Sequence, residues 1–145
     1  MRALVQRVTK ASVLVDGQTV GSCNHGLLIL LGVGPDDTEQ VAQRLWSKIW
    51  RLRIFADDAE KTNLSLADID GEVLVVSQFT LYADCRKGNR PSFAKAAPAE
   101  LAERLYECFC ACAAKDARHV GRGVFGADMQ IELVNDGPFT LWLDM

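Results

Sequence analysis

The chain has 145 residues, of which 49% are hydrophobic and 24% charged, and its formal net charge at pH 7 is −3. This length predicts a single domain over residues 1–145, and the composition excludes disordered, collagen-like and coiled-coil proteins. No apolar run is long enough to cross a membrane and no secretory leader pattern is present, so we expect a cytoplasmic protein without a membrane partner. The acidic excess argues against binding nucleic acid by charge alone, but it does not exclude a local basic patch.

The first part of the chain predicts a series of strands. Residues 2–8, 12–15 and 18–22 carry alternating or continuous apolar residues, and Asp16-Gly17 before the third segment is a hairpin turn signal. Residues 27–33 form a short apolar run, which predicts a buried strand.

A helix is predicted to begin at Asp37, whose side chain would act as the N-cap, with Gln40 three residues later. Its apolar face repeats at helical spacing and comprises Val41, Leu45, Ile49 and Leu52, flanked by Trp46 and Trp50. We expect the two tryptophans to pack in or beside the core, with an interface role as the alternative. The polar residues 57–63 predict a loop.

The next segments predict a central strand, a basic loop and a second helix. Glu72–Ser77 is apolar on both faces, which indicates a strand in the middle of its sheet. Residues 84–97 predict a loop, and Pro98 is expected at the first position of the helix. The expected buried face of that helix comprises Leu101, Leu105, Cys108 and Cys112.

Five cysteines are candidates for disulfides or metal ligands. Their number is odd, and the three in the second helix, Cys108, Cys110 and Cys112, do not match the spacing of a zinc site. We therefore expect Cys23, Cys85 and these three to be reduced thiols in or near the core. With only two histidines in the chain, we expect no metal and no other cofactor.

Common catalytic motifs are missing. The sequence has no glycine-rich nucleotide-binding motif, no HExxH zinc motif and no GxSxG nucleophile motif. A Ser-His-Asp triad would need His25, in a predicted turn, or His119, after the second helix. Neither is close in sequence to an obvious nucleophile, so a triad is not expected.

The segment Ser77-Gln78-Phe79-Thr80-Leu81 directly follows the predicted central strand. Polar groups at the end of a buried strand are costly unless they are bonded or used. One interpretation is a strand end that its own backbone satisfies. The other is the rim of a site, where the Thr80 hydroxyl or the backbone amides meet a substrate and stabilise an oxyanion.

Residues 129–134 and 139–144 predict a terminal strand pair, joined by Asn135-Asp136-Gly137-Pro138. A plain turn is one interpretation of this connection. A rigid Gly137-Pro138 unit that presents its carbonyls at a fixed angle and acts as a steric gate is the other.

A third candidate feature is the basic run Arg86-Lys87-Gly88-Asn89-Arg90. Such a run is usually a solvated loop. In an acidic protein, three cations within five residues are also a candidate phosphate-binding site.

Taken together, these motifs resemble those of the D-aminoacyl-tRNA deacylases, the D-tyrosyl-tRNA deacylase family. The matching stretches, spread over nearly the whole chain, are Gln6–Val8, Leu52–Phe55, Ser77–Asp84, Arg86–Gly88, Arg90–Phe93, Gly123–Met129 and Asn135–Pro138. One departure is Thr62, where a methionine is expected, and it lies in a loop.

The resemblance implies a single compact α/β (α+β) domain with a curved, barrel-like mixed sheet and packed helices, working as a homodimer. It implies hydrolysis of the ester between a D-amino acid and the 3′-terminal adenosine of tRNA, with the aminoacylated CCA end as the partner. Glycyl-tRNA, especially glycine misplaced on alanine tRNA, would also be cleaved. No cofactor is implied.

The resemblance also assigns site residues. Ser77, Gln78, Phe79 and Thr80 would form the catalytic segment, and Phe125 and Met129 would contact substrate. Gly137 and Pro138, joined by a cis peptide bond, would reach from one subunit into the pocket of the other. There their carbonyls would exclude the side chain of an L-amino acid.

Neither the Ser77–Leu81 motif nor the Gly137-Pro138 motif contains a histidine or a carboxylate that would act as a base. Because an aminoacyl ester is already activated, the ribose 2′-hydroxyl is expected to assist the attacking water while the protein positions the ester. The alternatives are an esterase with Thr80 as covalent nucleophile and a catalytically silent dimeric module that only binds RNA 3′ ends.

Overall fold

Eight strands, two α-helices and one 3₁₀ helix make up residues 1–145 in this computed structural model. The strands are β1 (Arg2–Val15), β2 (Gln18–Cys23), β3 (Gly26–Gly32), β4 (Phe55–Ala56), β5 (Thr62–Leu64), β6 (Glu72–Ser77), β7 (Val120–Arg122) and β8 (Gln130–Asp144). The helices are α1 (Glu39–Trp50), α2 (Ala99–Asp116) and the 3₁₀ helix Phe79–Tyr82. No helix of the chain has the length and apolar character that crossing a membrane requires.

Six strands form one mixed sheet in the order β2-β1-β3-β6-β7, and β8 pairs with the second edge of β1. β3, β6 and β7 run parallel to one another, whereas β1 pairs antiparallel with β2, β3 and β8. The prediction that Glu72–Ser77 is an interior strand is confirmed, since β6 lies between β3 and β7. The Asp16-Gly17 turn between β1 and β2 is confirmed too.

The sheet curves until its first and last strands meet, which gives the predicted barrel-like form. At this seam a Cβ on Gly21 would lie 2.4 Å from the carbonyl oxygen of Arg122, and one on Gly121 would lie 2.2 Å from that of Ser22. His119 Nε2 also lies 3.0 Å from the Ser22 oxygen. Glycine is therefore required on both sides, because any side chain would push β2 and β7 apart.

Alternate residues of the central strands serve two different cores, because successive side chains of a strand point to opposite faces. Ile29 and Val75 belong to the larger cluster, which is packed against the helices, and Leu28 and Leu74 belong to a smaller cluster inside the barrel. β3 and β6 are therefore buried on both faces, one face against α1 and α2 and the other inside the barrel.

The first helix begins one residue later than the sequence predicts. Its N-cap is Thr38, whose side chain accepts a hydrogen bond from Val41 N, and the prediction of Asp37 is wrong. The Asp37 carboxylate instead accepts from Gly34 N at 2.7 Å, so it stabilises the turn that leads into the helix. Trp46 is buried in the core, as one of the two interpretations predicted, and its Nε1 donates to Asp116 of α2 at 2.7 Å.

The second helix is also rotated relative to the prediction. Pro98 is its N-cap, not its first residue. Its buried residues are Leu105, Tyr106, Phe109, Cys110 and Ala113. Of the predicted face only Leu105 is fully buried, while Leu101, Cys108 and Cys112 are half-buried. The side chains of Tyr106 and Phe109 fill the space above the sheet, so Cys108 and Cys112 lie at the edge of the buried helix face.

Several other local predictions are corrected. Residues 2–15 form one continuous strand instead of two, and the expected loop at 57–63 contains one strand of the small β4–β5 hairpin. All five cysteines are free thiols, but Cys85 is exposed, so its assignment to the core region is wrong. Burial raises the pKa of the Cys23 thiol to about 12.

The predicted terminal hairpin is wrong in a way that matters for the site. β8 is a single strand that pairs with β1 along nearly its full length. Gln6 pairs with Thr140 and Val8 with Asn135, so one residue of β1 faces the four residues 136–139. The turn-forming sequence is therefore a bulge that projects from a continuous strand.

We predict that Gly121→Ala lowers the free energy of unfolding by about 1–3 kcal/mol, because the new methyl group would overlap the Ser22 carbonyl at the seam. Ser22→Ala is the matched control. It removes an exposed hydroxyl and leaves that carbonyl in place, so we expect a change within about 0.5 kcal/mol. Urea unfolding measures both variants. Equal stability would show that the seam has room for a side chain.

Candidate active site

A cavity of about 600 Å³ opens beyond the carboxyl ends of the parallel strands β3 and β6. Its lining is mainly apolar and comes from four segments of the chain. The lining residues are Leu31, Val33, Val76, Ser77, Gln78, Phe79, Phe93, Ala96, Ala97, Ala99, Ala102, Tyr106, Phe125, Gly126, Ala127, Asp128, Met129 and Ile131. Predominantly apolar lining with a few polar groups is typical of a small-molecule site.

One wall consists of the segment that follows β6. Ser77, Gln78 and Phe79 all line the cavity, and Gln78 N donates to the carbonyl of Leu31 at 2.7 Å, which fixes the strand end. Thr80 is exposed beside this wall and does not line the cavity. Its Oγ1 accepts a hydrogen bond of 2.5 Å from Gln78 Nε2 and has no acidic or imidazole partner.

The opposite wall contains Phe125 and Met129. Gly123, just before it, is bonded through its N–H to the carbonyl of Val75 at 2.9 Å. The Tyr106 hydroxyl lies 3.0 Å from the carbonyl oxygen of Val75 and 3.3 Å from that of Gly123. Burial raises the pKa of Tyr106, so its hydroxyl stays protonated and ties the end of β6 to the chain that forms the second wall.

Several residues of this cavity are not among the site residues predicted from the sequence. Phe93 lies at its mouth and packs edge-to-face against Phe79, with ring centroids 5.0 Å apart. Asp128 is the one carboxylate in the lining. Four alanines leave the space that the cavity occupies: Ala96, Ala97, Ala99 and Ala102. In the sequence, the signal that could have indicated this open space is the group of short side chains around the start of α2.

Gly137 and Pro138 are exposed in the β8 bulge and do not line the cavity of their own chain. The peptide bond between them is cis. Arg7 anchors the bulge, because its Nε donates to the carbonyl oxygen of Asp136 at 3.0 Å and its Nη1 donates to that of Ile54 at 2.5 Å. Phe139 N donates to Asn135 Oδ1 at 2.7 Å. Side chains on both strands thus fix the orientation of the exposed backbone.

Neither histidine lies in the cavity lining. His25 packs edge-to-face against Phe55, with ring centroids 5.4 Å apart, and His119 is at the barrel seam. No group of three or more histidine, cysteine, aspartate or glutamate side chains is arranged to hold a metal ion. The polar side chains of the lining are those of Ser77, Gln78, Tyr106 and Asp128.

Comparison with known proteins agrees with the motifs. The family model described as D-Tyr-tRNA(Tyr) deacylase matches residues 4–144. The chain belongs to the D-aminoacyl-tRNA deacylase family. A protein of Thermosipho africanus with that name is 56% identical over 99% of this chain and 97% of its own length. A protein of the same name from Roseiflexus castenholzii is 58% identical over 99% of this chain and 92% of its own length. The predicted family is confirmed.

Solved structures support the same fold. One described as c-Myc DNA Unwinding Element Binding Protein superposes with a TM-score of 0.94 and 41% identity, over 100% of this chain and 99% of that chain. Another, described as a probable eukaryotic D-amino acid tRNA deacylase, has a TM-score of 0.84 at 19% identity. The match covers 99% of this chain and 98% of that chain. The fold class expected for this family is thereby confirmed.

Proposed function

We propose that this protein hydrolyses the ester linking a D-amino acid to the 3′-terminal adenosine of tRNA, and that it also cleaves glycine mischarged on alanine tRNA. The observation that carries the proposal is the cavity at the ends of β3 and β6, which has the Ser77–Phe79 segment on one wall and Phe125 and Met129 on the other. Its volume and aromatic lining suit an aminoacylated nucleoside. The reaction would take place in the cytoplasm, where charged tRNA is used.

In this mechanism water adds to the acyl carbon, and the bond from that carbon to the ribose 3′-oxygen breaks. The 3′-oxygen leaves with a proton, and the free amino acid and tRNA are released. The ribose 2′-hydroxyl assists the water, while Ser77, Gln78 and Phe79 position the ester. Thr80 orients this segment through its hydrogen bond to Gln78. Its lack of a basic partner favours this role over covalent catalysis, because a hydroxyl nucleophile needs an adjacent base.

Selection against L-amino acids requires a second copy of the chain. Gly137 and Pro138 are absent from the cavity lining of their own chain, so a gate made of their carbonyls would act in the cavity of a partner. β8 is a 15-residue edge strand, paired only with β1, and Val134 and Trp142 on it are 46% and 50% exposed. A strand with one unpaired edge and large exposed apolar side chains favours self-association. We therefore propose a homodimer that completes two sites.

We predict that Thr80→Ala remains an active deacylase and lowers kcat by no more than about tenfold, the cost of one positioning hydrogen bond. Asp128→Asn should behave similarly, because the 2′-hydroxyl, not this carboxylate, assists the water. Single-turnover hydrolysis of D-tyrosyl-tRNA measures the rate of each variant. A loss of about a million-fold, or an acyl group trapped on Thr80 by mass spectrometry, would establish covalent catalysis. If the wild-type protein shows no turnover, the remaining interpretation is a catalytically silent module that only binds RNA 3′ ends.

Selection by exclusion predicts an asymmetry among small amino acids. On one tRNA, glycyl and D-alanyl esters should be hydrolysed and the L-alanyl ester should be spared by at least about 100-fold. The reason is that a hydrogen atom clashes with nothing, whereas the L-methyl group would point at the Gly137 and Pro138 carbonyls. Rates for the three matched esters test this. If glycine is spared as strictly as L-alanine, the site recognises a D side chain directly and the exclusion mechanism is wrong.

A heterodimer can separate a gate acting between subunits from one acting within a chain. Arg7→Ala should loosen the bulge and allow L-alanyl-tRNA to be cleaved, because the bond to the Asp136 carbonyl is lost. Ala102→Trp should fill the cavity and abolish hydrolysis while leaving that chain's gate intact, with Ala96→Trp as a second cavity variant.

In a purified heterodimer of these two variants, the open cavity belongs to the Arg7→Ala chain and faces the intact gate of its partner. Rejection of L-alanine should therefore be restored. If the heterodimer still cleaves L-alanyl-tRNA, the gate acts within its own chain. A monomeric, fully active and selective wild-type protein in sedimentation would also contradict the shared site.

A further inference from the structure

The loop of residues 85–91 is attached to the mouth of the cavity. Two backbone hydrogen bonds close its base, from Asp84 N to the Ser92 oxygen at 2.7 Å and from Ser92 N to the Asp84 oxygen at 3.0 Å. The next residue, Phe93, packs against Phe79 of the opposite rim. The base of the loop is therefore held beside the opening.

The cations of this region fall into two groups. Asp84 pairs with Arg86 and lies 3.6 Å from Lys95 Nζ, and the bonds from Arg86 hold the pKa of that carboxyl well below its ordinary value. Lys87 and Arg90 are exposed and form no salt bridge. One pair of charges thus fixes the base of the loop, and two further cations at its tip are free to bind an anion.

Three other arginines are engaged elsewhere, whereas Arg44 and Arg51, in and just after α1, are exposed and form no salt bridge. Arg118 lies 3.9 Å from Asp70, Arg122 pairs with Glu107, and Arg53 Nε donates to the Asn63 carbonyl at 2.7 Å. The cavity lining itself contains no lysine or arginine, so the cations of the 85–91 loop lie outside it. In a chain with net charge −3, the tip of the 85–91 loop is a local concentration of unpaired positive charge beside the mouth.

We propose that Lys87 and Arg90 bind the phosphates of the single-stranded RNA that immediately precede the terminal nucleotide in the cavity. This inference rests on the proposed function, which places the 3′ end of tRNA there. Each nucleotide before the last carries one phosphate, so a polyanionic strand leaving the cavity passes a rim that bears two unpaired cations. Contacts to phosphate set register without reading sequence, which suits an enzyme that must accept many tRNAs.

The test compares a substrate that has these phosphates with one that lacks them. The variant Lys87→Gln/Arg90→Gln is assayed on D-tyrosyl-tRNA and on the D-tyrosyl ester of adenosine, which has no phosphate. We expect kcat/KM on tRNA to fall about tenfold relative to kcat/KM on the adenosine ester. The slope of log kcat/KM against log salt concentration should become shallower by about 1.4, since each single-strand phosphate contact contributes roughly 0.7.

Two control variants separate local contact from general charge. Lys48→Gln/Arg51→Gln removes the same two charges from exposed positions at the end of α1 and should leave the salt slope unchanged. Lys87→Arg/Arg90→Lys preserves the charge and should keep the wild-type slope. Equal losses on both substrates, or an unchanged salt slope in the glutamine variant, would overturn the phosphate contact.

Binding of an unacylated RNA oligonucleotide ending in CCA keeps this inference distinct from the proposed function. If the wild-type protein hydrolyses neither ester, the proposed function is wrong, whereas weaker oligonucleotide binding by the glutamine variant would still support the phosphate contact. If hydrolysis occurs and oligonucleotide binding is the same in both proteins, only the contact is wrong. Fluorescence anisotropy at several salt concentrations provides this measurement.

Discussion

The pairing of β1 along both of its edges is the constraint on which the rest of the structure depends. This 14-residue strand pairs with β3 and β2 on one side and with β8 on the other. It joins the buried parallel strands to the barrel seam and keeps β8 extended for its whole length. Because Arg7 alone faces residues 136–139, the extra residues of β8 must project outward, and Arg7 then fixes their direction. The bulge that carries the proposed gate is thus a consequence of strand register.

The cavity and the proposed gate are built by different parts of the same sheet. Parallel strands end at the same edge, and the cavity forms where β3 and β6 stop and small residues of the α2 region leave space. The bulge lies on β8, outside that lining. In the proposed homodimer, association brings the two parts together, and the unpaired edge of β8 is the surface proposed for it.

The sequence predicted features whose cause is local and missed those whose cause is distant. Glu72–Ser77 was assigned correctly because burial on both faces is visible in its own residues, and Asp16-Gly17 because a two-residue turn has its own chemistry. Asn135–Pro138 has the same kind of turn signal, yet pairing with β1 overrides it. Phe93 and Tyr106 could not be assigned to the cavity because four separate segments must converge before it exists.

The acidic net charge is compatible with a polyanionic substrate because salt screens the interaction between each phosphate and distant charges on the protein surface. At about 0.1 M salt, charges more than roughly 10 Å apart on the surface interact weakly, so the groups beside the cavity decide binding and the remaining surface contributes little. An enzyme that acts only on the end of an RNA needs to neutralise few phosphates. A large basic face would instead bind internal RNA, where no ester is present, and slow the release of product. The acidic surface with two free cations at the mouth, Lys87 and Arg90, therefore favours end recognition over general RNA binding.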